Sequence, residues 1–253
     1  MKKLLLLLSL AFVLAIGAFA AEPDSRVYEL RTYTATPGKL DAVLARFRDH
    51  TCKLFEKHGM VNIAYWVPMD PADGAGEKLV YLLEHKSREA AKESWKNFNA
   101  DPEWQAVRKA SEADGKIVAK TESVFLELTG FSQPMAPSAQ APSRVFELRT
   151  YTTAEGKLGA LDARFAGGET DLFVKSGMRG AGYFHPMDAD KGAGHTLIYF
   201  MVHPSREAAT ESWKKFRADP AWVKMKADSE KDGKITTETK SMFLTPVDFS
   251  PTK

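Results

Sequence analysis

One cysteine, Cys52, stands alone among 253 residues. It excludes an internal disulfide, and with it any redox or zinc motif built on paired cysteines. Its surroundings read as those of a half-buried spectator, with an intermolecular disulfide or reactive thiol as the other reading. The sequence also lacks a His-Glu-x-x-His pair, a Gly-x-Ser-x-Gly elbow and a phosphate-binding loop, so no familiar metalloprotease, hydrolase or nucleotidase signature is present. The Gly-Ala-Gly runs at Gly74–Gly76 and Gly192–Gly194 fall between two strands and not between a strand and a helix, which makes them hairpin loops. An excess of one charge is missing as well. Without Lys2 and Lys3, 33 basic residues face 33 acidic ones, a balance that gives nucleic acid no electrostatic footprint.

The one long apolar run is confined to the N-terminus. Lys2-Lys3, an apolar stretch from Leu4 to about Gly17, and Ala18-Phe19-Ala20 form the three parts of a secretory signal peptide over residues 1–20. The expected mature chain begins at Ala21, exported to a periplasm or secreted, with no stable membrane span after cleavage. The other reading is an uncleaved N-terminal anchor, for which the apolar run is near the lower length limit.

What is present above all is repetition. Arg26–Thr34 (RVYELRTYT) returns 118 residues later as Arg144–Thr152 (RVFELRTYT), and the spacing holds without a gap from 26–132 to 144–250. About half of the aligned positions are identical. This is a duplicated domain and not a short-period solenoid. Residues 133–143, rich in Pro, Ala and Ser, form the linker.

Each repeat reads β-α-β-β-α-β. Val27–Tyr33 alternates as a strand. Leu40, Val43, Leu44, Phe47, Leu54 and Phe55 follow at helical spacing, with Gly59 closing the helix. Val61–Val67 and Leu79–His85 are strands around the loop Pro68–Gly76. Ser87 caps a helix through Trp95 and Phe98; Asp101-Pro102 starts the next. Ile117–Leu128 is the fourth strand. That order is ferredoxin-like. A four-stranded sheet with helices on one face leaves the other face bare, and the two repeats can bury those faces against each other. In the second repeat Asp49-His50 becomes Gly167-Gly168, a pair that costs a helix about 1 kcal/mol per glycine relative to alanine and predicts a kink or frayed segment.

The opening strand YELRTY (Tyr28–Tyr33; FELRTY at Phe146–Tyr151) and the Trp-Phe-Asp-Pro-x-Trp run (Trp95, Phe98, Asp101, Pro102, Trp104; Trp213, Phe216, Asp219, Pro220, Trp222) resemble the NIPSNAP family over nearly all of both repeats. The resemblance implies an α+β fold, a dimeric α+β barrel, which here would be made within one chain. The family supplies no secure catalytic list. Neighbouring families on this barrel include cofactor-free monooxygenases and haem enzymes, which is analogy of fold and does not fix function.

Three sets of residues could carry chemistry. Glu29, Arg31 and Tyr33, with Glu147, Arg149 and Tyr151, share one strand face. Were Tyr28, Leu30 and Thr32 to pack under the helices, this trio would face the barrel interior, Arg31 or Arg149 holding an anion and Glu or Tyr moving a proton. The structural alternative is a buried Glu–Arg ion pair that keeps the repeats in register. His85 and His203 end equivalent strands and could ligate haem or act in catalysis, or simply shape a turn; His185 and His195 could join His203 at one end of the second repeat, without metal-site spacing. Tyr65, Trp66, Tyr81 and their counterparts Tyr183, Phe184 and Tyr199 could line a ligand pocket or belong to the core. Trp95, Trp104, Trp213 and Trp222 read as packing residues. The expectation is a small-molecule-binding or assembly module, able to form a homo-oligomer and using no cofactor. The alternative is a cofactor-independent monooxygenase-like oxidoreductase acting on an aromatic or enolic substrate in the barrel interior, and a haem protein with His85 or His203 as axial ligand is a further one.

Overall fold

The computed structural model describes residues 25–139 and 144–253; the signal peptide expected over residues 1–20 and the middle of the linker lie outside them. The first repeat runs β1 (Val27–Ala35), α1 (Leu40–Arg46), a π-helical turn (Phe47–Thr51), α2 (Cys52–Lys57), β2 (Val61–Pro68), β3 (Lys78–His85), α3 (Arg88–Ala100), α4 (Pro102–Ser111) and β4 (Val118–Leu128). The second repeats the plan as β5 (Val145–Thr153), α5 (Leu158–Arg164), a π turn (Phe165–Glu169), α6 (Thr170–Lys175), β6 (Arg179–Pro186), β7 (Thr196–His203), α7 (Arg206–Ala218), α8 (Pro220–Ser229) and β8 (Thr236–Pro246).

The helix boundaries follow their local chemistry. The Ser87 hydroxyl accepts the Ala90 amide at 3.1 Å, and Asp101 accepts the Glu103 amide at 2.8 Å with Pro102 at the first helical position. Gly59 leaves α2 at φ +79°, a conformation that side chains resist. The first long helix, expected to be continuous, is divided by its π turn in both repeats. Only in the second does the backbone leave helical geometry there, at Gly168 with φ +121°, so the kink expected of the glycine pair resides in one residue.

All strand pairs are antiparallel, and the eight strands close into a barrel in the order β1-β3-β2-β8-β5-β7-β6-β4. Within a repeat the order β4-β1-β3-β2 is ferredoxin-like. The repeats join at two short seams, Trp66–Pro68 with Leu244–Pro246 and Leu126–Leu128 with Phe184–Pro186. Closure removes the sheet edges that a lone repeat would expose. Each repeat also lends its tail to the other: the Thr129 amide donates to the Tyr183 carbonyl, and the Val247 amide to the Tyr65 carbonyl.

Three apolar clusters result. The barrel interior is occupied from both repeats, with Tyr28 against Phe184 (ring centroids 5.0 Å apart) and Trp66 between Phe146 and Phe200 (5.4 and 5.1 Å). The other two lie between each half-sheet and its own helices, around Phe47, Phe55 and Tyr81 in the first repeat and Phe165, Phe173 and Tyr199 in the second. No helix of the described residues is long and apolar enough to cross a membrane.

Candidate functional site

Alternation along β1 divides its side chains cleanly, but in the sense opposite to the one expected. Tyr28 and Leu30 point into the barrel. Glu29, Arg31 and Tyr33 face the helices, as do Glu147, Arg149 and Tyr151. The physical reason lies on α3 and α7, which bring an indole donor and an aromatic surface to the charged face. Glu29, 1% exposed, accepts hydrogen bonds from Trp95 Nε1 at 2.7 Å, Ser123 Oγ at 2.5 Å and Arg31 Nη1, and meets His85 Nε2 at 3.1 Å. The Arg31 guanidinium stacks 4.2 Å from the Trp95 ring centroid and donates through Nε to the Tyr81 hydroxyl at 2.8 Å. Glu147 repeats the arrangement with Trp213 at 2.7 Å, Ser241 at 2.6 Å, His203 at 3.1 Å and Arg149, and Arg149 Nε reaches Tyr199 at 2.9 Å.

The ion pair therefore ties β1 to β3, β4 and α3 inside one repeat, and does not hold the two repeats in register. It also removes Glu29 as a base. Burial alone would raise its carboxyl, but the His85 contact, the Arg31 charge and the Ser123 and Trp95 hydrogen bonds outweigh burial and hold it at about 2. Glu147 is held at about 2 by the same balance. A carboxylate this saturated orients arginine and accepts no further proton near neutrality.

The remaining candidates separate. His85 and His203 are buried against those carboxylates, their Nδ1 atoms without a hydrogen-bond partner among the described residues. His185 turns instead to Asp162 at 3.0 Å, and no group of three metal-ligating side chains occurs among the described residues. Tyr65, Tyr81, Tyr183 and Tyr199 lie on the helix side of the sheet, and Trp66 and Phe184 in the barrel. Burial first, then neighbouring charges and phenols, pushes the phenols of Tyr65, Tyr81 and Tyr199 well above their ordinary value. Cys52 is half-buried, and burial pushes its thiol up to about 11, which suits a spectator.

Arg31 and Tyr33 are not sealed. They form the floor of a cleft of about 490 Å³ between the β1–β4 part of the sheet, α3 and α4. Trp95 and Trp104 give it aromatic walls, while Arg46, Arg108, Lys116 and Lys120 join Arg31 against the single carboxylate Glu112. Arg46 pairs with Glu112 at 3.2 Å and stacks on Trp104 at 5.2 Å. The cationic members come from β1, α1, α4, the approach to β4 and β4 itself, and the repeat pattern gave no sign that they converge. In the second repeat Arg149 Nη2 donates to the Tyr151 hydroxyl at 3.2 Å, a bond with no counterpart at Arg31 among the described residues.

The NIPSNAP family model matches residues 28–133 and again 146–251. The chain belongs to the NIPSNAP family. Among solved structures it is similar to a candidate monooxygenase from Lactobacillus acidophilus NCFM (13% identity, TM-score 0.55, covering 88% of this chain and 94% of that one). It is likewise similar to a candidate monooxygenase from Fusobacterium nucleatum (10%, 0.57, 90% and 94%) and to an anthrone oxidase-like protein (16%, 0.56, 89% and 92%). At such identities these likenesses establish the barrel and nothing about chemistry. No relative among curated proteins matches the chain.

Proposed function

We propose that this NIPSNAP protein is an exported small-molecule-binding module whose first repeat takes an aromatic organic anion in the Arg31 cleft. One observation carries the reading. Arg31 is pinned from beneath by Glu29 and Tyr81, stacked on Trp95, and still lines an open cleft in which cationic groups outnumber acidic ones. A guanidinium fixed in this way presents its donor fork without losing further side-chain freedom. The aromatic walls suit a planar ligand and the volume suits a small molecule. The residues Lys2 to Ala20 support export.

The test is calorimetric titration with 2-naphthoate, and with 2-naphthol as its uncharged analogue. Preferred binding of the carboxylate, weakened about tenfold or more by Arg31→Lys and severalfold by Arg108→Gln, is expected. Equal affinity for the two probes, or indifference to both substitutions, overturns the reading. N-terminal sequencing of the exported chain should begin at Ala21.

The joint presence of Arg31 and Tyr33 in the cleft also favours a second reading, a cofactor-independent oxidoreductase in which Arg31 holds an enolate and Tyr33 supplies a proton. Its place is this cleft and not the barrel interior, and it has no use for Glu29. Oxygen consumption with an anthrone-type probe, abolished by Tyr33→Phe, would establish it; tight binding without consumption would dismiss it.

A further inference from the structure

At the edge of β6 the second repeat is hollow where the first repeat is filled. The hollow measures about 360 Å³ and lies among β6, α6 and the tail leaving the first repeat. Met135, Phe146 and Val202 form its apolar floor, and Arg144 and Arg179 line it from its polar side.

A set of replacements between the repeats meets at this place. Asn62-Ile63-Ala64 corresponds to Gly180-Ala181-Gly182. In the first repeat the Asn62 amide donates to the Cys52 carbonyl at 2.9 Å and to Glu56 at 3.0 Å and accepts from the Tyr65 hydroxyl, and Ile63 is buried. In the second those side chains are gone. A Cβ at Gly180 would lie 2.0 Å from the Tyr183 hydroxyl oxygen, and one at Gly182, where φ is +127°, 2.7 Å from the Phe184 ring. A side chain at Gly180 would have to displace the Tyr183 ring, and one at Gly182 would be strained by the positive φ as well as by the Phe184 ring.

The charges change with the shape. Glu56 and Glu84 become Val174 and Val202, and Val61 becomes Arg179. Arg26 meets Glu84 at 3.6 Å in the first repeat. Its counterpart Arg144 donates to the main-chain oxygens of Lys253 and Ser138, and among the described residues no Asp or Glu side chain pairs with Arg144 or Arg179. Burial, then the nearby Arg179 charge, lowers the Arg144 guanidinium below its ordinary value. Two changes run the other way: Lys53 becomes Asp171, an exposed residue of the pocket lining, and Thr51 becomes Glu169, which pairs with Arg164 at 2.9 Å.

We propose that this pocket binds a medium-chain alkyl carboxylate, its head group on Arg179 and Arg144 and its chain on Met135, Phe146 and Val202. Arg144 is held by main-chain oxygens, and among the described residues no Asp or Glu side chain pairs with it or with Arg179, so two neighbouring guanidiniums beside one exposed carboxylate, Asp171, leave a net positive lining that calls for an anion. The floor calls for an apolar tail, and a pocket of this size falls near the lower end of the range for small-molecule sites, about 300–1,000 Å³. The site is separate from the Arg31 cleft and does not depend on it.

The experiment is calorimetric titration of the whole protein with decanoate below its micellar concentration, with octanoate and decanol as comparisons. One decanoate per chain is expected. Octanoate should bind about fifteenfold more weakly, since each of the two missing methylenes is worth about fourfold, and decanol should be weaker than decanoate. Ala181→Ile, which restores the residue of the first repeat, should weaken decanoate at least tenfold. Arg179→Gln, at an exposed position, should weaken it severalfold, and Arg108→Gln in the other cleft should leave it unchanged. The proposal fails if no saturable binding occurs up to about 1 mM. It fails equally if decanol binds as well as decanoate, or if Arg108→Gln weakens binding while Ala181→Ile and Arg179→Gln do not.

Discussion

Trp95 donates its indole N–H to Glu29 Oε2 at 2.7 Å across the gap between α3 and β1, and Trp213 does the same for Glu147. A residue that reads as helix packing thus also fixes the charge of the strand beneath. Trp95→Phe retains most of the packing and loses one donor to a buried carboxylate, a loss of about 1–3 kcal/mol. Glu29→Ala leaves the part-buried Arg31 unpaired and should cost more, about 3–5 kcal/mol. Urea denaturation of the two variants should rank them in that order, and near-equal midpoints would show that the ion pair is not the centre of this network.

The same carboxylates set the acid limit of the fold. Glu29 and Glu147 sit at about 2 in the folded protein against an ordinary value of 4.5. Folded values below the unfolded one contribute stability that is complete above the unfolded value and disappears as pH falls toward the folded one. Thermal midpoints should therefore drop between about pH 5 and pH 2, by an amount corresponding to about 3 kcal/mol for each glutamate. In the double variant Glu29→Gln, Glu147→Gln that part of the slope should vanish.

Local signals in the sequence predicted local structure well. The caps at Ser87 and Asp101, the turn at Gly59 and the strand order are each written in a few adjacent residues, and the 118-residue repeat makes every such reading twice. The direction of β1 was not legible. Alternation separates Glu29, Arg31 and Tyr33 from Tyr28 and Leu30, but a barrel strand under helices is covered on both faces, so polarity alone does not say which side is the interior. What decides it is Trp95, 66 residues further on, reaching back to Glu29. The Arg31 cleft is harder still to read, because Arg46, Arg108 and Lys116 share no periodicity and meet only when α1, α4 and the approach to β4 are assembled.

Glu169 stands where the first repeat has Thr51, and it is almost wholly buried. Burial raises its carboxyl to about 7, against the opposing pull of Arg164 at 2.9 Å. Here the sign is reversed: a raised folded value means that stability is fully present below about 4.5 and diminishes as pH rises toward 7. Glu169→Gln should match the parent protein near pH 4.5 and exceed it by about 3 kcal/mol at pH 8. A variant that is less stable at pH 8 would show that the Arg164 pairing outweighs the burial of the charge.

The two repeats are clasped by a reciprocal pair of contacts. Arg88, at the start of α3, holds Asp188 through two hydrogen bonds of 3.1 and 2.9 Å, and Arg206, at the start of α7, holds Asp70 through two of 2.7 Å. Each guanidinium also lies over an aromatic ring, Arg88 3.9 Å from the centroid of Phe125 and Arg206 4.7 Å from that of Phe243. All four ionic groups are a third or more exposed, so water and salt screen the attraction and each clasp contributes little despite its geometry. A double-mutant cycle on Arg206→Ala and Asp70→Ala should return a small favourable coupling in low salt and a smaller one in 1 M salt. The arginine substitution should cost more than the aspartate one, because it also removes the ring contact with Phe243. A coupling that does not decline with salt would place the clasp in a drier setting than its exposure indicates, and the seam between the repeats would then depend on it more than on the three-residue strand ladders beside it.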